Sequence, residues 1–284
     1  MHERDDTTPL RLSAGERWAR EELGRLREAG WRPGAQVTFI RAAQARANAT
    51  RSARPRLARQ ELVWCGAGAL AWAVLARRSP TGVFARRRRQ GLVWWTGTAL
   101  MLDWHLGMLE TPAGEPVGLH GADALTLLRA WLVPAVADAA DPRLVLLGAL
   151  SDLGDGALAR ATRTTRLGRD LEGLADVCFG LAALAGAVRA GHVSPWAARL
   201  ERGRLLAGIV YATGTYLVAG RAPDPALLRS GRDSAPLRAA ALVVAGVGHR
   251  GVADRLLTLS SAVALAHTLR ARGRTRAVRL SPKA

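Results

Sequence analysis

The sequence contains few cysteines and almost no lysine. Cys65 and Cys178 are the two cysteines among 284 residues, each lies inside an apolar run, and no C-x-x-C pattern is present. These counts argue against a disulfide framework and against a cysteine-ligated zinc site. Lys283 is the one lysine, so nearly every positive charge is a permanently ionised guanidinium. The polar first 14 residues lack an apolar segment, and we expect no cleavable signal peptide.

Aromatic residues are also scarce, at 5% of the chain, while the formal net charge is +18. A nucleic-acid surface would interleave such positive charge with aromatic side chains, so we expect no nucleic-acid partner. The mean hydropathy is nevertheless +0.04 with 23% charged residues, which requires that charged and apolar residues be segregated. Arginines cluster between apolar runs, a pattern typical of a membrane protein with basic loops.

Eight apolar runs approach the length of about 17 to 25 residues that a transmembrane helix needs. They lie at about 61–76, 91–109, 125–140, 142–160, 171–190, 204–220, 235–249 and 251–269. The sequence therefore predicts an all-α, polytopic membrane bundle of six core transmembrane helices with one or two upstream membrane segments. Its predicted divisions are a basic polar N-terminal segment with a possible surface helix (1–60), upstream membrane segments with a basic loop (61–119), the six-helix domain (120–270) and a basic cytoplasmic tail (271–284).

Two arginine-rich segments bear on the orientation of these runs. The loop around Arg86–Arg89 and the tail after Arg270 are both expected on the cytoplasmic side. If all eight runs crossed the membrane, the loop and the tail would lie on opposite sides of it. We therefore expect that the short run 61–76 does not cross fully. The nine tryptophans lie mostly near the ends of the runs, as interfacial residues do.

Four carboxylates within the fourth and fifth runs carry the chemical prediction, because charged residues in membrane helices are costly and mark functional sites. Asp152 and Asp155 are three residues apart and share a helix face, and Glu172 and Asp176 are four apart on the next helix. A short turn would bring the two pairs together. Such a group stays ionised only around a cation, and oxygen ligands favour one or two Mg²⁺ or Mn²⁺ ions.

The residues beside these carboxylates suit a phosphate-bearing ligand. Gly156 and Ala159 leave room for a polar ligand to approach the backbone, and Arg160 supplies a fork of donors that suits a phosphate.

The chain's pattern D-x-x-D-G-x-x-A-R followed by G-x-x-x-E-x-x-x-D resembles the signature of the CDP-alcohol phosphatidyltransferase family, which has aspartate in place of the glutamate. The matching residues are Asp152, Asp155, Gly156, Ala159, Arg160, Gly168 and Asp176. Glu172 stands where the family has its third aspartate. Upstream, Asp123, Thr126 and Arg129 resemble the N-x-x-T-x-x-R that opens the family's first helix, with aspartate in place of asparagine.

The resemblance implies a six-helix bundle in the cell membrane, usually a homodimer, with its active site toward the cytoplasm. It implies a divalent-metal-dependent enzyme of phospholipid biosynthesis that moves a phosphatidyl group from a CDP-alcohol, with CDP-diacylglycerol as the leading donor, to an alcohol acceptor and releases CMP. Asp152, Asp155, Glu172 and Asp176 would hold the metals, and Asp176 would also be the base. The nucleotide would contact Gly156, Ala159, Arg160, Thr126 and Arg129.

Several alternatives remain open at this point. Because Glu172 replaces an aspartate, the chain could be a catalytically disabled family member that binds or transports lipid. The same acids could also form part of an ion pathway. The acids could also form a structural network with Arg160, Arg166 and Arg169. Downstream, Arg199, Arg202 and Arg204 are interpreted as loop charges, with acceptor-phosphate binding as the alternative.

Overall fold

A computed structural model describes residues 13–111, 115–161, 166–220 and 223–280, with the side chains at 156–157, 159–161, 166–170, 225–226, 228–232 and 271–280 outside the description. Within these residues the chain is helical, and its β structure is one isolated bridge between Glu110 and Pro116. The all-α prediction is confirmed. The helices are α1 (Ala14–Glu28), α2 (Pro33–Ala53), α3 (Pro55–Arg78), α4 (Val83–Arg86), α5 (Arg88–Trp104), α6 (Gly121–Ala139), α7 (Pro142–Ala161), α8 (Arg166–Arg189), α9 (Pro195–Thr213), α10 (Pro225–Gly246) and α11 (Arg250–Leu280).

Proline marks the start of many of these helices. It is the first residue of α2, α3, α7, α9 and α10, where its fixed φ suits the helix and its missing N–H costs nothing. The helix α1 lies in the N-terminal segment where a surface helix was predicted, and Ser13 and Glu16 begin it with a reciprocal capping box. The helix α2 was not predicted, because its sequence was interpreted as part of a basic polar N-terminal segment.

Each of the eight predicted apolar runs lies mostly within one helix. The run 91–109 extends past the end of α5 into a short 3₁₀ turn at Leu106–Met108, and the run 204–220 ends in a π-helical turn at Gly214–Val218 that continues α9. Among the described residues, one helical segment is long and apolar enough to cross a membrane by its composition, Leu171–Arg189, with a mean hydropathy of 1.6. The polytopic arrangement of the remaining runs stays a prediction.

Indole groups join α3, α5 and α6. The indole N–H of Trp95 donates to the Cys65 carbonyl at 2.7 Å, and Trp131 donates to the Gly68 carbonyl at 2.9 Å. Trp72 packs edge-on against Trp131, with their ring centroids 5.2 Å apart. All three of these tryptophans are buried. The expectation of interfacial positions is therefore wrong for them, because their polar N–H groups find partners inside the bundle.

A core of three helices forms where α6 packs against α7 and α8. Small residues permit the close approach: a methyl group at Gly186 would overlap the backbone of Val136 and Ala140, and one at Gly148 would overlap the ring of Phe179. The remaining helices pack around this core, with α9, α10 and α11 in mutual contact. Residues 199–204 lie in α9, so the interpretation of their arginines as loop charges is wrong.

The two ends of the bundle differ in charge arrangement. We call the end where α6 and α8 begin and α7 finishes the lower end, and the opposite end the upper end. Arg86 and Arg87 pair with Asp138 in the last turn of α6, at 2.5 Å and 2.8 Å, which places their loop at the upper end. Since α11 begins at the upper end beside the last turn of α10, its arginine-rich second half runs to the lower end. The two basic segments therefore lie at opposite ends, contrary to the expectation that they share one side.

Candidate active site

The start of α6 supplies the centre of the site. His120 and Asp123 form a capping box there, in which the His120 backbone N–H donates to Asp123 Oδ2 at 2.8 Å. This assigns Asp123 a role in beginning the helix, one that a carboxylate at the third helical position performs well. Thr126 and Arg129 follow on the same face at intervals of three residues, and both are buried. The capped first turn therefore aims two polar side chains into the bundle.

Arg129 lies between the carboxylates of α7 and α8. Its Nη2 is 2.6 Å from Asp155 Oδ2 and 3.7 Å from Asp152 Oδ1, and its Nε is 2.7 Å from Asp176 Oδ1. The predicted meeting of the two helices' acids thus occurs, and the cation between them in this structure is a guanidinium. We call Arg129, Asp152, Asp155 and Asp176 the acid cluster.

Exposure within the acid cluster is graded. The side chains of Arg129 and Asp155 are 2% and 5% exposed, whereas those of Asp176 and Asp152 are 31% and 39% exposed. Arg129 and Asp155 therefore form the floor, and Asp152 and Asp176 form a rim open to solvent. A ligand that approaches from the lower end would meet the two rim carboxylates first.

Thr126 fixes the buried carboxylate of the cluster. Its hydroxyl donates to Asp155 Oδ2 at 2.9 Å, with the Ala122 carbonyl at 3.3 Å as a second acceptor. The other oxygen, Asp155 Oδ1, is buried without a hydrogen-bond partner among the described side chains, as is Arg129 Nη1. Unpartnered buried polar atoms of this kind are costly, and they call for an explanation such as a missing ion or ligand.

Thr126 and Arg129, expected at the nucleotide, contact the acids in this structure. Glu172 lies one helical turn before Asp176, is half-buried and interacts electrostatically with it. The side chains of Gly156, Ala159 and Arg160 lie outside the described residues, so their predicted contacts with a nucleotide stay predictions. The sequence did place an arginine, Arg129, one turn after Thr126, so it could have been predicted as the cation between the acids. A metal ion was predicted in that position instead.

A divalent metal fits the donor chemistry of the acid cluster. Among the side chains the structure describes, no group of three or more histidine, cysteine, aspartate and glutamate residues is gathered as a metal site, since Arg129 occupies the space between the carboxylates. The donors are nevertheless carboxylate oxygens, which Mg²⁺ and Mn²⁺ prefer. Asp155 Oδ1 is buried and unpartnered, and the two rim carboxylates are accessible. These observations suit a cation that binds at the rim.

A second buried charge network lies one helical turn from Asp176. Glu201 of α9 is fully buried and pairs with Arg204 at 2.5 Å and Arg238 at 3.2 Å. It also accepts hydrogen bonds from Ser260 and Ser261 of α11, at 3.3 Å and 2.8 Å. Sequence reasoning did not single out this network, which joins α9, α10 and α11.

Arg238 connects the second network to the acid cluster. A methyl group built at Gly180 would lie 3.3 Å from its Nε, and Gly180 follows Asp176 by one turn on the same face of α8. The Glu201 network therefore places a second buried guanidinium close behind the rim of the candidate site.

No protein-family model, no curated protein and no solved structure matches this chain. The function is therefore inferred from the chain's own residues and from the motif that they carry.

Proposed function

We propose that the chain is a multi-pass membrane enzyme that moves a phosphatidyl group from a CDP-alcohol, with CDP-diacylglycerol as the leading donor, to an alcohol acceptor. The observation that carries this proposal is the convergence of Asp152 and Asp155 from α7 with Asp176 from α8 at the lower end of the bundle. These are the motif positions that resemble the CDP-alcohol phosphatidyltransferase signature. Their meeting in space supports the resemblance beyond sequence spacing alone.

The membrane location has its own support. Large apolar side chains lie exposed along several helices, with Leu62, Val93 and Val210 each more than 60% exposed. Continuous exposure of this kind is unfavourable in water and marks an apolar surrounding or a partner surface. We infer that the eight long helices α3 and α5–α11 span the membrane, with the lower end in the cytoplasm, and that the protein is a homodimer as the resemblance implies.

The residues have distinct roles in the proposed reaction. The acceptor hydroxyl oxygen bonds to the phosphorus that carries the diacylglycerol, the bond from that phosphorus to CMP breaks, and CMP leaves with the electron pair. Asp176, on the rim, accepts the proton of the acceptor hydroxyl. Asp152, Asp155, Glu172 and Asp176 would hold Mg²⁺ or Mn²⁺, which supplies charge neutralisation for the pyrophosphate when bound. Arg129 pairs with Asp155 in the floor, and the Thr126 hydroxyl orients that carboxylate.

The experiment that tests this function measures CMP release by the full-length protein, purified in detergent, from CDP-diacylglycerol with Mg²⁺ or Mn²⁺. The acceptor panel contains inositol, inositol phosphate, glycerol phosphate, serine and phosphatidylglycerol. The critical variant is Asp176→Asn, and Asp138→Asn is the matched control because that acid lies at the upper end. Metal-dependent release with one acceptor, lost in Asp176→Asn and kept in Asp138→Asn, is the expected result.

The position of Arg129 favours one second candidate. A guanidinium that already neutralises three carboxylates suits a disabled transferase scaffold that binds or transports lipid, with the acid cluster as a structural network. Folded wild-type protein that releases no CMP with any acceptor or metal would favour this candidate and overturn the transferase.

A further inference from the structure

A surface cleft runs along α3, away from the acid cluster. Its volume is ≈ 320 Å³, and its lining residues are Arg56, Arg59, Gln60, Val63 and Trp64. Their spacing of three, one, three and one places all five on one face of the helix. The polar residues lie on the first turns of α3, and the apolar residues lie one turn farther along.

The two arginines at the mouth of the cleft are not paired with any acid whose side chain the structure describes. Both are exposed, and neither pairs with a carboxylate anywhere in the described part of the chain. The Arg59 Nε donates to the Pro55 carbonyl of its own first turn, at 3.4 Å. By contrast, Arg51 pairs with Asp103 nearby. Two adjacent guanidinium groups without an acidic partner suit a phosphate, which accepts several of their donors at once.

The apolar part of the cleft continues into an exposed apolar surface. Val63 is 65% exposed in the wall, and Leu62 and Leu70 are 71% and 63% exposed farther along α3. A ligand that fits this order of groups carries a phosphate at one end and a hydrocarbon chain at the other. That combination distinguishes a phospholipid from a free phosphate or a nucleotide.

Gln60 fixes the position of the cleft relative to the start of α6. Its side chain donates to the Leu119 carbonyl at 2.8 Å and accepts from the Leu119 N–H at 3.0 Å. These two bonds join the first turns of α3 to the segment just before α6. The cleft therefore lies at the lower end of the bundle, at the level of the acid cluster but on the outer face of α3.

We propose that this cleft binds an anionic phospholipid, with the lipid phosphate between Arg56 and Arg59 and one acyl chain along Val63 and Trp64. The proposal rests on the membrane location in the proposed function and not on the transferase chemistry. Basic residues at a membrane surface attract anionic lipid, so two arginines are expected to favour it over zwitterionic lipid by roughly tenfold or more.

Native mass spectrometry of the full-length protein tests the proposal. The protein is purified in detergent and mixed with equal amounts of phosphatidylglycerol and phosphatidylcholine of identical acyl chains. The test variant is Arg56→Gln with Arg59→Gln, and the matched control is Arg88→Gln with Arg89→Gln. The control removes the same charge from two exposed arginines of α5 at the upper end, which also lack a carboxylate partner among the described residues.

Wild type and the control are expected to retain phosphatidylglycerol selectively, and the Arg56/Arg59 variant is expected to lose that selectivity by roughly tenfold or more. Equal retention by the variant and the control would overturn the proposal. Displacement of the bound lipid by millimolar inorganic phosphate would also overturn it, because the cleft would then recognise phosphate alone. Asp176→Asn separates the two functions, since it should abolish CMP release and leave this lipid bound.

Discussion

Arg129 Nη2 lies 2.6 Å from Asp155 Oδ2 in the floor of the acid cluster, with both side chains almost fully buried. Neither charge would be tolerated there without the other, because an isolated buried ion pays a large desolvation penalty. The pair therefore depends on the register in which α6 packs against α7. A metal ion bound at the rim would therefore share its carboxylate ligands with the Arg129 guanidinium.

Replacing Arg129 by glutamine should destabilise the protein strongly. Asp155 and Asp176 would remain without their counter-ion, and breaking a buried ion pair costs about 3–5 kcal/mol. We expect a lower thermal unfolding midpoint in detergent without metal, and partial recovery with Mg²⁺ or Mn²⁺, which would replace the lost positive charge. Arg88→Gln, at an exposed position, is the control. An unchanged midpoint in Arg129→Gln would contradict the central position of this guanidinium.

Thr126→Val should weaken the same floor by a smaller amount. Valine keeps the shape of the side chain but removes the hydroxyl that donates to Asp155 Oδ2, and a hydrogen bond to a charged group is worth about 1.5–3 kcal/mol. Thr126→Ser keeps the donor and should melt close to wild type. The thermal unfolding midpoints of the two variants decide the matter. If Thr126→Ser and Thr126→Val lower the unfolding midpoint equally, the stabilisation from Thr126 comes from its methyl group and not from its hydroxyl.

The prediction for Glu172 concerns metal dependence. In the proposed transferase this residue supplies a carboxylate where the signature that it resembles has aspartate, with one additional methylene, so Glu172→Asp should retain metal-dependent CMP release with an altered preference between Mg²⁺ and Mn²⁺. Glu172→Gln removes the charge and should require at least tenfold more metal, because a neutral amide is a weaker ligand for hard cations. Metal titrations of CMP release measure both. Identical titrations for glutamate and glutamine would remove Glu172 from the metal site.

The helices could be predicted from the sequence more fully than their arrangement. The eight apolar runs correctly indicated eight helices, because an apolar run that is several helical turns long is easy to recognise in a sequence. The helix α2 was missed because its alanines and arginines favour helix by propensity alone, without an apolar stripe. The buried position of Trp72 was missed for a related reason, since its partner Phe84 comes from a separate helix, α4.

The acid cluster shows where prediction of the site stops. Spacing placed Asp152 with Asp155 and Glu172 with Asp176, because residues three or four apart share a helix face. It could not place Arg129 among them, since that requires the register between α6 and its neighbours. This register depends on contacts such as Gly186 against the backbone of Val136, which no local pattern reveals.

That contact yields a stability prediction. Gly186→Ala would push a methyl group into the Val136 carbonyl and the Ala140 nitrogen, and overpacking of this kind costs about 1–3 kcal/mol. Gly208→Ala in α9 is the matched control, because a methyl group there meets nothing within 4 Å and alanine favours helix. We expect a lower unfolding midpoint for the first variant and an equal or higher one for the second. A Gly186→Ala protein as stable as wild type would show that α6 and α8 do not approach so closely.

The opposite placement of the two basic segments can be tested in membranes. With Cys65 and Cys178 replaced by alanine, single cysteines at Ser79, beside the Arg86 loop, and at Thr268, in the second half of α11, should react with a membrane-impermeant thiol reagent from opposite faces. The reason is that α3 and α5 form an antiparallel pair whose turn meets Asp138 at the upper end, while α11 runs to the lower end. Labelling in right-side-out and inverted vesicles measures this directly. Reaction of both cysteines from the same face would mean that the run 61–76 does not cross the membrane, as the arginine distribution alone had indicated.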